Sequence, residues 1–107
     1  MKRKDTKCYK DLVEKYCSSR FAFETAEDLI SNVEKSIEKS QKKYAEIDNV
    51  DSTIKAWFDA FIFLCKSNIE KSMMNKEYYE GRMENYGKLL VMKYGEDLEK
   101  LYDDYEF

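Results

Sequence analysis

Residues 54–65, which read IKAWFDAFIFLC, form an almost uncharged segment in a chain otherwise dense in Lys and Glu. They hold the only Trp of the chain and three of its six Phe. At about 100° per residue, apolar side chains including Trp57, Phe61 and Leu64 fall within one arc of roughly 160°, wider than the stripe of a minimal surface helix. The segment therefore predicts a central helix that contacts more than one neighbour.

Phe63 projects to the opposite side of this predicted helix, next to Ala56 and Ala60 in projection. Small residues beside an aromatic ring let a second helix approach closely. Either the tail at residues 98–105 folds back over Phe63, or a second copy of the chain covers it. The sequence leaves both alternatives open.

Length and composition predict one helical domain that covers residues 1–107. The chain has 107 residues, no Pro and only three Gly, which suits long helices. Its apolar content of 43% is too high for disorder, although 38% of the residues are charged. The predicted fold is all-α: a small antiparallel bundle of four main helices plus a short C-terminal helix.

The first predicted helix covers residues 4–17, and Ser18-Ser19-Arg20 predicts a break. The second runs from a Thr25 cap to about residue 47. Heptads are not sustained with clean apolar positions, which argues against a long coiled coil. The predicted core side chains of these two helices are Cys8, Tyr9, Leu12, Val13, Tyr16, Ala26, Leu29, Ile30, Val33, Ile37, Tyr44 and Ile47.

A polar turn at residues 48–53 precedes the central helix, which Asp51 or Ser52 caps. The central helix continues to about Met74, where residues 75–76 are either a turn or part of a longer helix. The last long helix ends at Gly95, a residue typical of the C′ position. Its predicted core face is Tyr79, Met83, Tyr86, Leu90 and Tyr94, and a short amphipathic helix begins near Leu98.

The residue types exclude most catalytic and metal-binding chemistry. The chain has no His, which removes the commonest general base and most zinc sites. Cys8, Cys17 and Cys65 are widely spaced and are interpreted as reduced thiols of a cytoplasmic protein. There is no Gly-rich phosphate loop, no apolar run long enough for a membrane and no visible secretory signal. We therefore expect no catalytic residue, no metal and no cofactor.

Protein–protein binding is the function that this exclusion favours. The chain has nine Tyr, a residue enriched at interfaces because it offers a large contact area with a polar tip. The tail aromatics either form an exposed patch or pack against the helices. The candidate partner-binding residues are Phe63, Tyr78, Tyr102, Asp103, Asp104, Tyr105 and Phe107.

Two alternatives follow from the uneven charge. Residues 1–20 carry a net charge of +4 and residues 95–107 a net charge of −5. In the first alternative the basic head binds nucleic acid and Tyr9 stacks on a base, although a pI of about 5.1 argues against this. In the second, the acidic tail mimics nucleic acid. The head residues in question are Lys2, Arg3, Lys4, Lys7 and Lys10.

The composition as a whole resembles that of small accessory proteins of phages and mobile elements, including inhibitors and immunity proteins. The similarity rests on size, Lys- and Glu-rich helices and the absence of His, and on no motif. It implies a protein that acts by binding another protein.

Overall fold

The computed structural model describes residues 3–47 and 51–107, and these residues form three helices without a strand. Helix α1 covers Lys7–Ala45, α2 covers Ser52–Tyr94 and α3 covers Leu98–Asp104. The prediction of an all-α chain is confirmed. A bundle of four main helices within one chain is not, because the two long helices each replace two of the predicted shorter ones.

The predicted break at Ser18-Ser19-Arg20 is wrong, and Thr25 lies inside α1 rather than at its start. Neither Gly nor Pro is present to interrupt the helix there, and Ser19 is buried instead of facing solvent as a loop residue would. A small hydroxyl side chain fits a close helix contact and does not oblige the helix to end. Residues 75–76, left open between turn and helix, belong to α2.

Burial along α1 follows the alternating spacing of three and four residues that is typical of a coiled-coil seam. Sequence reasoning missed this regularity because Ser19 and Ser40 occupy two of the seam positions. The buried or half-buried residues at this spacing are Tyr9, Leu12, Tyr16, Ser19, Phe23, Ala26, Ile30, Val33, Ile37, Ser40 and Tyr44.

The predicted helix end at Gly95 is confirmed, and of the two predicted caps, Asp51 and Ser52, the structure shows Asp51. The Ile54 N–H donates to Asp51 Oδ1 at 2.8 Å, so this carboxylate caps α2. Gly95 has a φ of 63°, and its N–H donates to the Val91 carbonyl at 2.9 Å, which closes the helix in the left-handed C′ conformation. The rest of the predicted turn, at residues 48–50, lies outside the described residues.

The contacts divide the chain into two compact units. The terminal unit combines the N-terminal residues through Glu24 with Lys76–Phe107, and the hairpin unit is Thr25–Asn75. In the terminal unit, the rings of Tyr9 and Tyr94 are in contact, with their centroids 4.9 Å apart. Lys76 Nζ lies 5.7 Å from the centroid of the Phe23 ring. Because these contacts run in opposite directions along α1 and α2, the two segments are antiparallel.

The terminal unit holds the core cluster, formed by Tyr16, Cys17, Leu90 and Tyr94. Helix α3 closes this core with half-buried side chains that include Leu98. Burial raises the pKa of the Cys17 thiol to about 11, so this cysteine stays protonated and packs as a small apolar residue. The side chains that pack around the cluster are Tyr9, Leu12, Val13, Met83, Tyr86, Leu98, Leu101, Tyr102 and Tyr105.

Five predicted core residues are exposed instead. Each lies at the border of the apolar arc that the sequence shows, where a single neighbouring helix does not reach. Since each compact unit contains few helices, the buried arc is narrower than the apolar arc. The exposed residues are Cys8, Leu29, Ile47, Trp57 and Leu64.

Gly81 and Gly87 both lie within α2, and we expect opposite outcomes when each becomes Ala. A Cβ at position 81 meets nothing within 4 Å, so Gly81→Ala raises the free energy of unfolding by about 1 kcal/mol through helix propensity. A Cβ at position 87 would lie 3.1 Å from Leu98 Cδ1 and 3.3 Å from Tyr16 Cε2. That crowding removes most or all of the gain. Urea titration of both variants measures the difference, and equal gains would contradict the close approach of α3 at Gly87.

Candidate partner-binding surface

The hairpin unit contains little buried side-chain volume. Its segments of α1 and α2 meet near the end of α1 and the start of α2, where the ring centroids of Tyr44 and Phe58 are stacked 4.2 Å apart. Among its described residues, those classed as buried are Ala26, Cys65 and Ser72, all of them small. Its larger apolar side chains stay at least partly exposed, since two helices alone cannot surround one another.

The side of α2 that faces away from the hairpin contact carries a second set of small or apolar residues. Ala56, Ala60, Phe63 and Ser67 recur at spacings of four, three and four residues, and Met74 follows one heptad after Ser67. We call these five residues the far face. Phe63 is 70% exposed and Met74 is 71% exposed.

Two more exposed apolar residues border the far face on one side. Trp57 is 70% exposed, and its ring stacks on that of Phe61 with the centroids 6.0 Å apart. Leu64, which is also exposed, lies seven residues after Trp57 and therefore on the same side of α2. Together with the far face they form a nearly continuous apolar surface along the first half of α2. Exposed patches of this kind mark interaction sites in soluble proteins.

Four charged residues border the far face on its other side: Lys55, Asp59, Lys66 and Glu70. All four are exposed, and none of them forms an ion pair within the described residues. Their signs alternate along the helix, so the strip has no net charge. Such a border can select a partner without repelling a surface of similar composition.

The tail residues divide into packed and exposed ones. Tyr102 and Tyr105 are half-buried against the core cluster, so the structure places them in the packed alternative. The Tyr102 hydroxyl donates to Glu24 Oε2 at 3.0 Å. Burial, the largest cause, and this hydrogen bond, the second largest, raise the pKa of Tyr102 to about 12. Asp103 and Asp104 remain exposed on α3.

The two remaining candidates, Tyr78 and Phe107, are exposed in the terminal unit. The Tyr78 hydroxyl accepts a hydrogen bond from Arg82 Nη1 at 2.9 Å. Phe107 is 69% exposed, yet its ring lies 5.0 Å from that of Phe21. The tail packs within the terminal unit. The residue that the tail or a second copy is expected to cover, Phe63, belongs to the hairpin unit and is exposed.

Arg20 is the residue that sequence reasoning missed, because the predicted break placed it in a loop. Its Nη2 pairs with Glu99 Oε2 at 2.7 Å, and its Nη1 donates to the Tyr16 hydroxyl at 3.0 Å. Its guanidinium also lies 4.3 Å from the Tyr102 ring centroid. The ion pair with Glu99 raises the Arg20 pKa further. Arg20 therefore fastens α3 to α1.

Two of the basic side chains near the N-terminus form ion pairs within the chain. Arg3 pairs with Asp5 and Lys4 pairs with Glu96, at 2.7 and 2.8 Å. The Tyr9 hydroxyl donates to Glu96 Oε1 at 2.8 Å, and its ring is half-buried against the core cluster. Lys7 and Lys10 remain exposed, and Lys2 lies outside the described residues. The nucleic-acid hypothesis stays a prediction.

Several carboxylates of the acidic tail also form ion pairs or hydrogen bonds within the terminal unit. Burial acts to raise the pKa of Glu96, but the bonds from Lys4 and Tyr9 outweigh it and lower that pKa. Asp97 accepts from the Lys100 N–H as the N-cap of α3, and Glu99 pairs with Arg20. Fewer acids are left to imitate a phosphate backbone, and the mimicry hypothesis stays a prediction.

A groove of about 380 Å³ opens beside α3, and its lining includes the apolar residues Met83, Val91 and Met92.

Within residues 3–47 and 51–107, no group of three or more His, Cys, Asp or Glu side chains could hold a metal ion. In the same residues, no helix is both long and apolar enough to cross a bilayer.

Comparison with known proteins found no matching family model, no similar curated protein and no similar solved structure.

Proposed function

We propose that this chain is a non-enzymatic helical protein that acts by holding another protein chain against α2. The observation that carries the proposal is the exposed far face with Phe63 at its centre, bordered by Trp57 and Leu64. An aromatic anchor surrounded by apolar contacts is the arrangement that dominates protein–protein binding energy.

The proposal includes the roles expected from composition, namely inhibitor, immunity protein or accessory protein of a phage or mobile element in the cytoplasm. In each of these roles a small protein acts by binding another protein and not by catalysing a reaction.

A photo-crosslinking amino acid at position 63 tests the proposal in cells of the native host. We expect irradiation to produce a covalent adduct with a protein, because Phe63 is exposed on the surface that we assign to the partner. The matched control carries the same amino acid at Lys39, which is exposed on the outer side of α1 in the same unit. No adduct at position 63, or equal adducts at positions 63 and 39, would contradict the proposal.

A further inference from the structure

We propose that the partner of the far face is a second copy of this chain, paired antiparallel through α2. This inference rests on the proposed function and names its partner. Its first support is the shape of the far face, where Ala56 and Ala60 are small and Phe63 is large. In a pairing of α2 with itself, each Phe63 ring lies over the Ala60 of the other copy, so that a large side chain faces a small one.

The second support is the order of charges in the bordering strip. Asp59 and Lys66 lie at equal distances from the midpoint between residues 62 and 63, and so do Lys55 and Glu70. A two-fold axis perpendicular to α2 between residues 61 and 62, one residue from this midpoint, puts Phe63 level with Ala60 of the second copy and leaves each charge about 3 Å along the helix from its opposite there. Every charge of the strip then lies near its opposite.

A parallel arrangement lacks this match, because the charged border of each copy would face the apolar border with Trp57 and Leu64 of the other copy. In antiparallel helix pairs, border residues on one side of the seam face the same border of the partner helix. Asp59 and Lys66 occupy equivalent positions one heptad apart, so they form that contact twice in a symmetric dimer. An interface of this kind is self-complementary without requiring a partner of different charge.

The apolar border pairs in the same register. Trp57 of one copy then lies beside Leu64 of the other, on the side of the seam away from the charges. This contact covers two of the largest exposed apolar side chains in the hairpin unit. The second copy therefore supplies the burial that the two helices of one hairpin unit cannot provide for themselves.

Sedimentation equilibrium of the purified chain tests the inference. We expect the wild type to have twice the monomer mass of 12.8 kDa. Phe63→Glu should raise the dimer dissociation constant by about 30-fold or more, as removal of a central anchor does. Met92→Glu is the matched control, since Met92 is an equally exposed apolar residue of α2 in the terminal unit. Far-UV circular dichroism checks that both variants remain helical.

A charge exchange tests the antiparallel register. Asp59→Lys alone places two like charges together twice per dimer, and we expect the dissociation constant to rise roughly fivefold. Combining Asp59→Lys with Lys66→Asp restores opposite charges at both contacts and should bring dimerisation back toward the wild-type value. Failure of the double variant to recover would overturn the register.

A wild-type chain that stays monomeric at high concentration would overturn the inference, and so would a Phe63→Glu variant that dimerises like the wild type. If the chain is monomeric but position 63 still crosslinks to a different protein, the proposed function stands and only the self-pairing is wrong. If position 63 yields no adduct with any protein, both are wrong.

Discussion

Replacing Leu90 with Ala lowers the free energy of unfolding by about 2–5 kcal/mol, the range for large-to-small changes in a core. Leu90 has no exposed surface and lies at the centre of the cluster with Tyr16, Cys17 and Tyr94. Side chains from α1, α2 and α3 all pack against that cluster, so the cavity cannot close by moving one flexible group. Urea-induced unfolding followed by circular dichroism measures the loss.

The control for Leu90 is its neighbour Val91, which is 46% exposed. Val91→Ala removes apolar atoms from a surface already in contact with water, so we expect a loss below about 1 kcal/mol. Similar losses for the two variants would show that the core of the terminal unit lies elsewhere.

Replacing Arg20 with Ala lowers the free energy of unfolding by about 2 kcal/mol. Hydrogen bonds to charged groups are worth about 1.5–3 kcal/mol when they are sheltered from water, as is the bond from Arg20 to the buried Tyr16. The ion pair with Glu99 adds at most about 1 kcal/mol, because the Glu99 side chain is 75% exposed. The change leaves Glu99 without its ion pair and the Tyr16 hydroxyl without its donor. Amide exchange in α3 should also accelerate, because Arg20 joins that helix to α1.

The control is the exposed pair of Glu38 and Lys42 on α1, at 3.4 Å. Glu38→Ala should cost only a few tenths of a kcal/mol, since both side chains are largely in water. An Arg20→Ala loss no larger than this, with unchanged exchange in α3, would show that Arg20 does not hold α3 against α1.

The far face illustrates how much of the candidate site was predictable. Phe63 was singled out from sequence because no arrangement of one central helix brings it to the same side as Phe61 and Cys65. Trp57 and Leu64 were assigned to the core, because a helical projection shows which apolar residues share an arc but not how much of that arc a neighbour covers. The width of the buried arc depends on the number of helices that pack around α2, and that number is a property of the tertiary structure.

Arg20 and Ser19 illustrate the opposite error. In sequence they belong to a polar run that is typical of a loop, yet α1 continues through both residues. Their partners, such as Glu99, lie far along the chain, and a contact at that separation leaves no local pattern. The same is true of Tyr102, whose hydroxyl bond to Glu24 decided between an exposed and a packed tail.

The sequence by itself determined that the chain is helical, that α2 begins at Asp51 or Ser52 and ends at Gly95, and where α3 begins. Helix periodicity and caps depend on residues within a few positions of one another, so these features can be found locally. Only the tertiary structure decided that α1 is continuous, that the tail packs onto the terminal unit and that Trp57 and Leu64 remain exposed beside Phe63. These outcomes depend on contacts between distant residues, whose free energies outweigh the local preferences of Ser18, Ser19 and Arg20.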